Sequence, residues 1–304
     1  MKNRWRADAC LVLCGVLVWF LADAVRVRQA AAEALALCAG SVIPALFPFL
    51  IVSRLLVVMG FSQWVSPLFS GLMTSLFRLP GLSSSALLLG LVGGYPIGAQ
   101  TAAELYRKNL LTRGETVRLL TFCNNSNPVF LISVLGVGVF GSVRAGVWLW
   151  LIHVAAALLT GLLCRGTGGT ARDQGPARSL PCQPSSLSAA FVSAVRDSAA
   201  GMLSVCAFVV FFYVLAAPLK ELGPRLGPVL VGAVELFSLT PLLPPDHLGF
   251  VLAAGCAGWG GLSVLCQTAA VVEDLPLTPC VLGKLLHGLL SALLAALLAG
   301  YALA

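Results

Sequence analysis

Long apolar stretches fill this sequence from end to end, and two of them are broken by the same block. Gly93-Gly94 is followed by Gln100-Thr101-Ala102-Ala103, and Gly260-Gly261 by Gln267-Thr268-Ala269-Ala270, at a constant offset of 167 residues (260 − 93 and 267 − 100). Apolar stretches of about 20 residues can cross a bilayer as helices. Glycine-interrupted apolar segments at corresponding places in two halves of such a chain are the best sequence pointer to a transport site.

Composition leaves little choice of solvent. Of 304 residues, 59% are hydrophobic and 10% charged, whereas a soluble domain needs about 25% charged residues to cover its surface. The chain is therefore expected to be all-α and polytopic, with the lipid bilayer as its partner. The apolar runs are long and Leu/Ala-rich rather than alternating, which argues against an outer-membrane barrel. The formal net charge of +7 comes mainly from Lys and Arg at the ends of apolar runs. There they act as topology anchors, so no nucleic-acid partner is inferred.

Ten cysteines are scattered without a CxxC pair, mostly inside apolar runs, and read as small packing residues. The three histidines are widely spaced, and no zinc motif, P-loop, dinucleotide fingerprint or nucleophile elbow appears. No catalytic residue, metal or cofactor is assigned, and an enzyme is not expected. Lys2, Arg4 and Arg6 precede the run Cys10–Leu21, and Ala22-Asp23-Ala24 follows it, a signal-peptide-like pattern. The run from Ala7 to Val25 is close to spanning length, so an uncleaved first span is the preferred reading.

Residues 1–165 read as a first membrane half with an extra N-terminal span. Residues 166–186 are rich in Gly, Pro, Ser and Arg and read as a polar linker. Residues 187–304 form a second half. Beyond the doubled block, Leu111-Thr112 leads to Arg118-Leu119-Leu120, and Leu277-Thr278 to Lys284-Leu285-Leu286. The expectation is two structural repeats, inverted relative to each other, in roughly eight to ten membrane segments, some broken or re-entrant. Pro44 and Pro48 are expected to break the apolar segment from Ser41 to Gly60. The basic N-terminus and linker favour the cytoplasmic side, though Arg26 and Arg28 beyond the first span weaken that orientation.

The first break, Gly93-Gly94-Tyr95-Pro96, predicts two half-helices meeting in the membrane, because Pro96 lacks a donor and glycine admits helix-breaking conformations. A half-helix starting there presents free N–H groups and a positive dipole end, which suits an anion; a kinked, packed helix is the plainer alternative. Asn124-Asn125-Ser126-Asn127-Pro128 is the most polar stretch inside any apolar segment. One such residue suffices to cap a helix, so the cluster points to a cavity lining. Gly260, Gly261, Ser263 and Gln267 form the second copy, with Ser263 where the first has Pro96. Gln100 and Gln267 are placed to face each other, or simply to bond neighbouring helices. Arg118, Glu235 and Lys284 are candidates for charge pairing or ion coupling, with snorkelling or structural ion pairing as the alternative.

Gly93–Ala99, Phe122-Cys123-Asn124-Asn125-Ser126-Asn127-Pro128-Val129-Phe130 and Gly260-Gly261-Leu262-Ser263-Val264 with Gln267 resemble the YlbJ-type sporulation integral membrane proteins, of the nucleoside-recognition or Gate-domain group. The likeness continues through Ala194–Ser198, Phe208–Val214 and Lys284–His287. It implies a protein of the bacterial cell membrane, specifically the outer forespore membrane, that moves dipicolinate into the forespore. Such a flat, small organic anion suits helix N-termini, amides and a basic side chain. A nucleoside or nucleobase transporter is the alternative that the Gate name suggests, and a non-transporting scaffold in spore-envelope assembly is the reading of another class. The residues after Glu235, Leu236-Phe237-Ser238-Leu239-Thr240, depart from the Thr- and Gly-richer family pattern, so a role for Glu235 is not carried over. Oligomeric state is not legible.

Overall fold

A computed structural model describes residues 4–166, 186–272 and 275–304. The linker read at 166–186 thus falls almost wholly outside the described residues. Fourteen α-helices follow one another: α1 (Arg4–Ala22), α2 (Ala24–Leu37), α3 (Ile43–Val58), α4 (Phe61–Phe77), α5 (Ser84–Gly93), α6 (Ile97–Arg107) and α7 (Arg113–Leu120), then α8 (Val143–Leu163), α9 (Leu187–Ala216), α10 (Leu226–Val234), α11 (Leu236–Leu239), α12 (His247–Trp259), α13 (Gly261–Val272) and α14 (Thr278–Leu303). There is no strand among the described residues. The all-helical membrane architecture expected from composition is present.

Among the described residues, five continuous helical stretches are long and apolar enough to cross a bilayer: Ala24–Val58, Val143–Leu163, Leu187–Glu221, His247–Val272 and Thr278–Leu303. A sixth arises if Phe61–Phe77 and Gly81–Gly93, bent by 99°, count as one. This is fewer than eight to ten for two reasons. Short helices make up the balance: the 10 residues of α5 extend about 15 Å, half a hydrocarbon core. The prolines also break less than expected. Ala24–Val58 runs on for 35 residues, with a π-helical turn at Cys38–Val42 immediately before Pro44. The turn changes the hydrogen-bond register just where proline withholds its donor, so the helix continues.

The outward faces of the long helices carry large apolar side chains, among them Leu21, Trp64, Leu68, Leu203 and Leu289. That is the surface a lipid solvent selects. Inside, small residues bring helices together. A Cβ at Gly258 of α12 would lie 2.8 Å from the Gly288 Cα of α14, the close approach by which membrane helices gain van der Waals contact. α14 packs along α12 and α8 and also touches α7; α6 packs against α13, and α3 against α9. The elements before and after the linker are therefore interleaved.

The two copies of the doubled block take different paths. After the first, α6 turns back and packs on α5, with Gly94 at φ +83° and ψ −167°. After the second, the ladder is interrupted at Gly260 (φ +85°) and Gly261 (φ +86°), yet α12 and α13 stay within one 26-residue span. Pro96 has no N–H to return to α5, whereas Ser263 keeps its own and sits inside α13.

Candidate substrate site

Each break is crossed by a non-helical segment from elsewhere in the chain. Thr112 and Glu115 start α7 with a capping box: the Glu115 N–H donates to Thr112 Oγ1 at 3.3 Å, and the Thr112 N–H to Glu115 Oε2 at 2.7 Å. After α7 the chain loses helical form at 124–127 and lies across the first break. A Cβ at Gly90 or Gly98 would run into the Cys123 carbonyl oxygen, and one at Gly94 would lie 2.7 Å from Asn127 Cβ. The second break meets the extended residue between α10 and α11, Glu235. A Cβ at Gly261 would lie 2.9 Å from the Val234 carbonyl oxygen and 3.3 Å from Glu235 Cα.

The amide segment is fully buried and ties several elements together. Asn127 Oδ1 accepts from the Phe130 N–H at 2.7 Å, capping the helix that follows, and its Nδ2 donates to the Ala45 carbonyl of α3 at 3.0 Å. Asn124 Nδ2 donates to Thr268 Oγ1 of α13 at 2.9 Å. Asn125 Nδ2 donates locally to the Phe122 carbonyl at 3.0 Å. The Ser126 N–H donates to His153 Nε2 of α8 at 3.0 Å, and its hydroxyl approaches the Ala257 carbonyl at 3.5 Å. One residue of the cluster is thus a cap. The Oδ1 atoms of Asn124 and Asn125 have no protein partner.

Lys284 of α14 meets this segment. Its Nζ donates to Tyr95 Oη at 2.7 Å and to the Asn124 carbonyl at 3.2 Å, and lies 4.6 Å from the Tyr95 ring centre. Tyr95 Oη donates onward to the Ala257 carbonyl, near the end of α12, at 2.9 Å. One residue from the first break therefore links the second break to the buried ammonium. Among the described residues no carboxylate forms an ion pair with Lys284. One helical turn on, His287 Nε2 lies 3.1 Å from the His153 carbonyl, with the two rings 4.4 Å apart.

A narrow cleft of about 20 Å³, enough for a water molecule, runs between Tyr95, Ser126, Asn127, Glu235 and Gln267. Gly93, Gly94, Pro96, Gly260 and Gly261 are not among the residues that line it; Ser263 accepts from Gln267 Nε2 at 3.3 Å. Gln100 sits elsewhere: Arg54 Nη2 of α3 approaches its Oε1 at 3.5 Å, and it lines a separate cavity. The two glutamines do not share a cavity. Arg118 is buried on α7 and donates to the Arg78 carbonyl at 2.8 Å, closing the end of α4. Glu235 accepts from the N–H and hydroxyl of Ser238 at 2.5 and 2.8 Å, capping α11. The His153–His287 pair had a faint signal in the sequence, since Lys284, His287 and Ser291 share a helix face at i, i+3, i+7. Nothing near His153 in sequence marks it. Among the described residues no group of His, Cys, Asp or Glu is arranged to hold a metal ion.

The fold and this buried polar junction define an integral membrane protein, all-helical, built around broken helices. Residues 39–145, which contain the first break and the amide segment, match the Gate family, described as nucleoside recognition. The chain is also 27% identical over 300 residues to the sporulation integral membrane protein YlbJ of Bacillus subtilis (strain 168), covering 84% of this chain and 74% of that protein. The chain is thus similar to YlbJ over most of its length, and one segment of it matches the Gate family. No solved structure matches it.

Proposed function

We propose that this protein is a transporter or facilitator for a small organic anion, with Lys284, Tyr95 and the amide segment at its centre. The observation that carries the reading is Lys284. Its ammonium is 1% exposed and is held by two neutral oxygens rather than by a carboxylate. A buried cation is costly unless paired, and ionisable groups at membrane depth mark substrate and ion paths. A substrate carboxylate supplies the missing charge. The N-terminus of α6 adds a positive dipole end. Dipicolinate, a flat dianion, is the substrate we favour, on the resemblance to sporulation membrane proteins, with the outer forespore membrane as the setting.

The description of the matched family favours a second reading, a nucleoside carrier. Purified protein in liposomes separates the two. Uptake of labelled dipicolinate that unlabelled nucleoside does not compete away, and that Lys284→Met abolishes, is the expected result. Uptake of nucleoside alone would replace our reading with the second. No flux of either, with a spore-coat defect in a strain lacking the protein, would favour the scaffold.

A further inference from the structure

A second cavity lies away from Lys284, between α3, α6 and α9, and has a volume of about 240 Å³. It is partly open, and about half of its wall is polar although α3 and α9 belong to long apolar stretches. Arg54 stands in it, in mid-helix on α3, where the sequence offers only apolar neighbours and Ser53. The Arg54 Nε is buried with no partner, and its Nη2 makes a long contact of 3.5 Å to Gln100 Oε1. No carboxylate pairs with it among the described residues. Two carboxylates also line the cavity, but each has its own partner: Glu104 pairs with Lys108 at 2.5 Å, and Asp197 accepts from Ser193 at 3.3 Å. Arg107 lies on the same wall, about two turns beyond Gln100 on α6.

We infer that this cavity is a second anion site, in which the Arg54 guanidinium receives a carboxylate of a single-ring acid. The guanidinium fork matches a carboxylate in shape and charge, and the Gln100 amide, freed of its long contact, turns its N–H donors to the same ligand. A dry cavity of about 150 Å³ holds a benzene ring, so the volume here takes one six-membered ring with two small substituents, while Arg107 is placed for the second. α6 leads from this cavity at Gln100 to the first break at Pro96, so the cavity serves as a vestibule for the central site. The binding claim stands by itself; the route rests on the transport reading above.

The test measures equilibrium binding of labelled dipicolinate and of benzoate to the purified full chain, and flux in liposomes, for three variants. Arg54→Gln should weaken dipicolinate binding by about tenfold or more, whereas Arg54→Lys should recover part of it. Val57→Trp, which fills the cavity without touching the guanidinium, should weaken binding of both probes. Binding by Arg54→Gln and Val57→Trp equal to wild type would overturn the site, as would failure of wild type to bind either carboxylate. Binding that depends on Arg54 with no flux in any protein would keep the site and sink the transport reading.

Discussion

Lys284 connects α14 to the first break through Tyr95 and to the amide segment through the Asn124 carbonyl. Replacing a buried ion by an apolar group of similar volume is often neutral or stabilising, by up to about 4 kcal/mol. Lys284→Met should therefore keep or raise the melting temperature in detergent while flux is lost. A fall in stability matching the loss of flux would make the lysine structural. Tyr95 is different, because its hydroxyl accepts from Lys284 and donates to Ala257. Tyr95→Phe takes one of its two acceptors from Lys284 and the hydroxyl donor from the Ala257 carbonyl, and about 1–3 kcal/mol of destabilisation is expected from the same melting measurement. His153→Ala removes the acceptor of the Ser126 N–H and should cost about the same. All three residues are visible in the sequence, but their meeting is not: Tyr95 and Lys284 are 189 positions apart, and no local pattern couples them.

Elements meet here at breaks rather than at helix midpoints. Gly94 holds a positive φ and is closely approached by Asn127. Gly94→Ala combines backbone strain of about 1 kcal/mol with a clash against buried backbone that cannot retreat, so loss of the folded state on gel filtration is expected. Gly15 in α1 has nothing within 4 Å of where a Cβ would stand. Gly15→Ala should be neutral or stabilising by up to about 1 kcal/mol through helix propensity. Equal behaviour of the two would remove the docking of the amide segment as the reason for Gly94. The glycine and proline signals located the breaks correctly. They could not show that the first break folds back while the second stays within a span, because that depends on which segment packs across each opening. The prolines of α3 were misleading: a π turn, invisible in the residue pattern, precedes Pro44, and Pro48 sits within the continuing helix.

At the scale of the whole molecule, residues 1–165 and 187–304 cannot be separate bodies. α14 lies against both α7 and α8, and α13 against α6. At Gly283, a Cβ would collide with Thr121 at 2.6 Å, so the last helix is fitted to the end of α7. A gene split at the linker should thus give two fragments that are degraded when expressed singly. Co-expressed, they should co-purify and recover flux. Stable, monodisperse fragments on their own would contradict the interleaving.

The sequence by itself determined the solvent and the secondary structure of this protein. An apolar chain with so few charges must sit in lipid, lipid demands helices, and glycine, proline and amide clusters mark where those helices stop. Tertiary structure decided which interruptions come together. It placed Gln100 with Arg54 and not with Gln267, turned Arg118 and Glu235 to closing helix ends, and brought Lys284 to the amide segment. Helix propensity and hydropathy act over a few turns, whereas these pairings rest on small residues that let distant backbones touch, and that contact exists only in the folded chain.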